Sequence, residues 1–162
     1  MNSEIFNNRL FYYTLIHDLL DKKINPWDFR EKFWEQRNND LDKNNESGYS
    51  DNYIIKTEIL KGPEKYFQED YFDRLLGNAW TKNCLEILKE YEQAANDLDI
   101  KSEWFFMGIW DLVDEYVREY YPSDREEFDP NEDTDEETLL KVVQASYDVL
   151  TRNKDRWMNI EK

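Results

Sequence analysis

Cysteine is almost missing from this 162-residue chain. Cys84 stands alone, which excludes an internal disulfide framework and suits a reducing compartment. Glycine and proline are scarce, at four each, so few tight turns are available and helices are favoured over many short strands. No stretch approaches the roughly 20 apolar residues of a membrane span. The opening MNSEIFNNRL lacks the basic-then-apolar order of a secretory leader, and the expected location is the cytoplasm. Histidine is reduced to His17, whereas hydrolytic triads and zinc sites need histidine with partners or several sulfur ligands. A glycine-rich phosphate loop is also missing. With no base, nucleophile and orienting group in view, the expectation is no enzymatic activity, no catalytic residue, no cofactor and no resident metal.

What the chain has in excess is acid. Against 21 Lys and Arg stand 37 Asp and Glu, a net charge of −16. Thirteen of those acids lie between Asp111 and Glu137, with only Arg118 and Arg125 to oppose them, a local balance of −11. Six Trp, eleven Tyr and nine Phe accompany a mean hydropathy of −0.98. A disordered acidic chain is poor in aromatics, so this one folds, and its length suits one domain with a real core. Phosphates would repel such a charge. Direct binding to nucleic acid or to an anionic membrane is therefore not expected, and a basic protein is the favoured partner.

Apolar steps of three and four (Phe6, Leu10, Tyr13, His17, Leu20) predict a first helix ending at Lys22-Lys23-Ile24. Asn25-Pro26-Trp27-Asp28 starts a second, with Asn25 as cap, Pro26 at the first helical position, and Phe29, Phe33 and Trp34 inward. Asn38 to Asn52 is rich in Asn, Asp and Ser and reads as a loop. Residues 53–62 fit either strand or helix, and helices are expected in 64–77 and 78–98, broken near Gly77-Asn78. Ser102 is a candidate cap for a helix with a narrow seam of Phe106, Ile109, Val113, Tyr116 and Tyr120. Asp111, Asp114, Glu115 and Arg118 fall on its opposite side, and Pro122 stops it. Thr134-Asp135-Glu136-Glu137 has the form of a capping box before a last helix marked by Leu139, Val143, Tyr147 and Leu150. The expected fold is all-α, an antiparallel helical bundle with a four-helix core and extra helices in a central insert at about 45–100.

His17 lies on an apolar seam and is expected to pack at the core or its boundary. Cys84 falls in register with Trp80, Leu88 and Tyr91, as a core residue does. Asp129, Asn131, Asp133 and Asp135 follow the spacing of a calcium loop, but Thr134 replaces the turn glycine and Leu140 the bidentate glutamate. The acidic run therefore divides between a solvated surface, which charge runs usually are, and a contact surface. Tyr121 and Phe128, rings set among carboxylates, suit contact.

Three segments carry a family resemblance. LIHDLLDKKINPWDFREKFWEQR (15–37) resembles the opening hairpin of the colicin D immunity protein and related bacterial self-protective, colicin-like immunity proteins. IWDLVDEYVREYYPSD (109–124) is similar to an apolar helix of that family carrying D-E-aromatic and then Pro and acid. DEETLLKVVQASYDVL (135–150) is similar to its final helix. Residues 45–100 have no counterpart in the shorter pattern. The resemblance implies a small helical protein without activity of its own. It would occlude the basic active site of a tRNA-cleaving toxin with carboxylates in place of RNA phosphates, or protect cells that use such toxins in contact-dependent growth inhibition.

The matching positions are Asp114-Glu115-Tyr116 and the acids Glu119 and Asp124. With charge and aromatic content added, the expected toxin-binding set is Asp111, Asp114, Glu115, Glu119, Tyr121, Asp124, Glu126 and Glu127. The alternatives are an acidic nucleic-acid mimic that inhibits another DNA- or RNA-binding protein, and a small non-enzymatic metal-binding helical protein.

Overall fold

Ser3 opens the first helical turn, its hydroxyl accepting the Ile5 N–H at 3.1 Å, as an N-cap does. The structure, a computed structural model, describes residues 3–47, 84–98 and 102–158. Among them every regular element is a helix: α1 (Glu4–Asn7), α2 (Arg9–Leu20), α3 (Pro26–Ser47), α4 (Cys84–Leu98), α5 (Ser102–Glu119), α6 (Glu136–Arg152) and α7 (Lys154–Trp157). The chain is all-α there. Residues 53–62 and the helix expected in 64–77 lie outside the described residues.

The first expected helix is two. At Asn8 the backbone leaves helical geometry (φ −100°, ψ 24°), which resets the phase of the apolar stripe. Downstream of the break Tyr12, Tyr13, Leu15, Ile16 and Leu19 are buried, while Leu10 is 57% exposed and His17 is exposed. A stripe drawn straight through from Phe6 therefore picks Leu10 and His17 in error. α2 closes with both bonds of a Schellman motif: Lys22 N–H to the Leu19 carbonyl at 3.1 Å, and Lys23 N–H to that of Asp18 at 2.8 Å. Lys22 takes the left-handed conformation (φ 63°) that glycine usually supplies. Across the turn the Asn25 side-chain oxygen accepts the Asp28 N–H at 2.7 Å, so the expected cap and the inward Phe29 and Phe33 hold, both fully buried.

α3 does not stop at Asn38; it continues to Ser47, so the loop expected from 38 is helical through 47. The reason lies in two buried polar side chains one turn apart. Asp40 accepts the Tyr12 hydroxyl (2.6 Å), the Asn8 amide (2.8 Å) and the Gln36 amide (2.9 Å). Asn44 accepts the Glu4 N–H (2.8 Å) and donates to the Ser3 hydroxyl (3.2 Å). These tertiary partners outweigh the weak helix propensity of Asn and Asp.

α5 is the central element, packed against α1, α3, α6 and α7. Its apolar surface is no narrow seam: Phe105, Met107, Trp110, Leu112 and Val117 are buried along with the five expected residues, as befits a helix enclosed on nearly all sides. Tyr12, Phe33 and Trp110 meet at ring distances of 5.3–5.7 Å and tie α2, α3 and α5 together. α4, from the region expected as an insert, places Leu88, Tyr91, Ala94 and Ala95 in the same core. The Tyr91 ring lies over the α5 backbone at Gly108, where a Cβ would come within 1.9 Å of the phenolic oxygen. Ser102 is the first residue of α5, and its hydroxyl donates to the Arg156 carbonyl rather than capping.

Candidate protein-binding surface

The acidic stretch after α5 folds back on itself. Thr134 N–H donates to the Glu119 carbonyl at 2.7 Å, and Tyr121 N–H to the Thr134 carbonyl at 3.1 Å. This single parallel bridge between Tyr120 and Thr134 closes the loop at its base. Inside it, Arg125 N–H reaches the Pro122 carbonyl (3.2 Å), Phe128 N–H that of Arg125 (3.1 Å) and Asp133 N–H that of Asp129 (2.7 Å). With its ends together and its own turns inside, the segment is an Ω-loop.

Several of its carboxylates serve the loop itself. Asp129 accepts the Asn131 N–H at 2.9 Å, and Asp133 accepts the Asp129 N–H at 2.9 Å. Asp135 accepts the Thr138 N–H at 2.8 Å and is the N-cap of α6. The N-cap is therefore Asp135 rather than Thr134, and the expected capping box does not form, because Thr134 is committed to the bridge and buried and the third helical position is Thr138. The acids with calcium-loop spacing point at backbone donors, and no group of three or more His, Cys, Asp or Glu among the described residues is arranged to hold a metal ion. Glu136 accepts the Ser123 N–H at 3.1 Å and hydroxyl at 2.7 Å. Slight burial would push its carboxyl up, but these donors hold it below the ordinary range. Burial, with Glu136 and Asp124 close by, pushes the Tyr120 hydroxyl up to about 12.

Trp27 of α3, half-buried, supports the loop from the side. It lies 6.4 Å from the rings of both Tyr120 and Tyr121, edge-on to the second, and the Arg125 guanidinium stands 5.7 Å above it. The Tyr121 hydroxyl donates to Glu127 at 3.1 Å. What remains directed to solvent is Asp124, Glu126, Glu127 and Glu132, with Glu119 at the end of α5. None of these five is ion-paired among the described residues.

The expected set thus divides. Glu119, Tyr121, Asp124, Glu126 and Glu127 share the loop and its base. Asp114 does not belong with them: it is 5% exposed, 2.8 Å from Arg37 Nε and 3.2 Å from Arg118 Nε. Burial pushes its carboxyl above the usual range, and the two guanidiniums offset this only in part. Helical phase placed Asp114 opposite the apolar seam, but α3 covers that side as well, so it is a structural ion-pair member. Glu115 is half-buried and 3.8 Å from Arg118. Asp111 is half-buried on the side of Tyr91, whose hydroxyl is raised first by its own burial and then by that charge. His17 is exposed beside Tyr147 at a ring distance of 6.0 Å, so the expectation that it packs at the core or its boundary does not hold. Trp27 and the Ser123–Glu136 clasp were missed, because both depend on contacts between segments distant in sequence.

No protein-family model, curated protein or solved structure matches this chain.

Proposed function

We propose that this is an immunity protein that neutralises a cationic, tRNA-cleaving bacterial toxin by covering its active site with the loop 120–135. The observation that carries the reading is the group of outward carboxylates, Asp124, Glu126, Glu127 and Glu132, on a loop already ordered by its own hydrogen bonds and by Trp27. A preorganised anionic surface loses little entropy on binding, and its unopposed charge steers a basic partner and fixes its register. The family resemblance in 15–37, 109–124 and 135–150 supplies the class of partner. Asp111 and Asp114 leave the proposed contact set; Glu119 and Tyr121 stay at its edge.

The test is protection of tRNA from colicin D-type nuclease domains and from any basic nuclease domain found in the neighbouring reading frame. Wild-type protein should protect, with association slowing as salt rises. The triple reversal Asp124→Lys, Glu126→Lys, Glu127→Lys should lose protection while keeping its circular dichroism spectrum. Full protection by the folded triple variant would refute the loop as the contact.

A further inference from the structure

Two cations stand among the thirteen acids between Asp111 and Glu137, and the fold uses them differently. Arg118 is engaged inside the structure, 3.2 Å from Asp114 and 3.8 Å from Glu115. Arg125 is exposed and in no ion pair among the described residues, although Asp124 and Glu126 flank it in sequence. Its guanidinium lies over the Trp27 ring instead, 5.7 Å from the centroid. We propose that Arg125 is the specificity-determining residue of the acidic surface, pairing with a single Asp or Glu that the partner carries within its basic face. This rests on the reading of the loop as a toxin contact, and it narrows which basic toxins fit.

The backbone of Arg125 is held on both sides: its N–H donates to the Pro122 carbonyl at 3.2 Å, and its carbonyl accepts the Phe128 N–H at 3.1 Å. Trp27 is itself held by Tyr120 and Tyr121, 6.4 Å from both rings, so the guanidinium rests on a fixed support. A guanidinium laid over an aromatic ring keeps its N–H edge open, and that edge meets a carboxylate bidentately. The other guanidinium over this ring, Arg30 at 4.9 Å, is already paired with Glu31 at 2.8 Å. Charge then selects the counterpart. The outward carboxylates of Asp124, Glu126 and Glu127 repel a polyanion, which closes Arg125 to nucleic-acid phosphates. A basic surface holding one acid does fit: its cations meet the loop's carboxylates while its acid meets Arg125. A basic surface without that acid presses its cations against Arg125, a like-charge contact that costs affinity.

Calorimetry tests this with the full chain, its Arg125 variants, and two kinds of probe: colicin D-type nuclease domains and any basic nuclease domain from the neighbouring reading frame. Arg125→Glu is expected to weaken binding by about thirtyfold or more. Arg125→Gln should weaken it by less, and Arg125→Lys, which keeps the charge but not the fork, by least. The sign of the effect decides. If Arg125 served only to relieve the acids around it, Arg125→Glu would make the loop more negative and tighten its hold on a basic domain. The position is exposed, so the variants should keep the helical spectrum; Arg125→Gln carries the test if Arg125→Glu does not fold. One Asp→Lys or Glu→Lys substitution in the nuclease domain should weaken binding to wild type and restore binding to Arg125→Glu. Unchanged or tighter binding by the folded variant, or the lack of any rescuing substitution, overturns the inference while the toxin reading stands. Failure of the wild-type chain to bind any of these domains overturns both.

Discussion

The tail of α3 and the loop after α5 are built from similar letters and fold differently. NNDLDKNNES at 38–47 and YPSDREEFDPNEDTD at 121–135 are both short, polar and rich in side chains that bond to backbone, Asp and Asn in the first and Asp in the second, and both read as loops. One is helix, because Asp40 and Asn44 turn inward and find donors on α1, α2 and α3 itself. The other is a loop, because Pro122 and Pro130 interrupt any helix and its acids turn back on its own N–H groups or out to solvent. An aspartate does different work according to where its donors are. Composition reports how many such side chains there are, and only the fold decides which way each one turns.

The contrast can be broken most forcefully at Asp40. Asp40→Ala leaves the Tyr12 hydroxyl and the Asn8 and Gln36 amides without their acceptor, and should cost about 3 kcal/mol in urea denaturation, with hydrogen exchange rising first across 38–47. On the loop side the corresponding change is Asp135→Ala, which removes an N-cap and should cost about 1 kcal/mol. A drop as large as that of Asp40→Ala would mean the loop is as integral to the core as the α3 tail. Smaller still is a pH effect. Burial raises the Asp40 carboxyl above its ordinary 3.8, so the folded chain holds this proton more tightly than the unfolded one. The contribution of this site to stability therefore falls as pH rises from 3.8 through the raised value. Asp40→Asn keeps acceptor and donor capacity without the charge, so its stability relative to wild type should climb over that window and then level off in thermal melts. At the far end, Asp124→Lys or Glu126→Lys should leave the melting temperature nearly unchanged, since nothing in the fold relies on those carboxylates.

Much of the fold was legible in the sequence. The Asn25 cap, the inward Phe29 and Phe33, the stop before Pro122 and the last helix through Leu139, Val143 and Leu150 follow from local chemistry and periodicity, and all hold. What failed did so where two distant segments decide the matter together. The break at Asn8 shifts the stripe of α2. The burial of Asp114 needs Arg37, which lies far away on α3. The wide apolar surface of α5 was partly readable, since Met107, Trp110, Leu112 and Val117 fall outside the seam of five. The loop announced its charge in the sequence but not its closure, because a bridge between Tyr120 and Thr134 has no local signature.

That closure has an evolutionary consequence. The loop is fastened at two adjoining points, and the bonds at the fastening are between backbone groups, which any non-proline residue can supply. The residues between Pro122 and Asp133 can therefore be exchanged, shortened or extended while α5 and α6 stay in register, and each doubling of loop length adds only about 0.6 kcal/mol of closure entropy. Such a cassette can change the surface it presents without renegotiating how the chain folds.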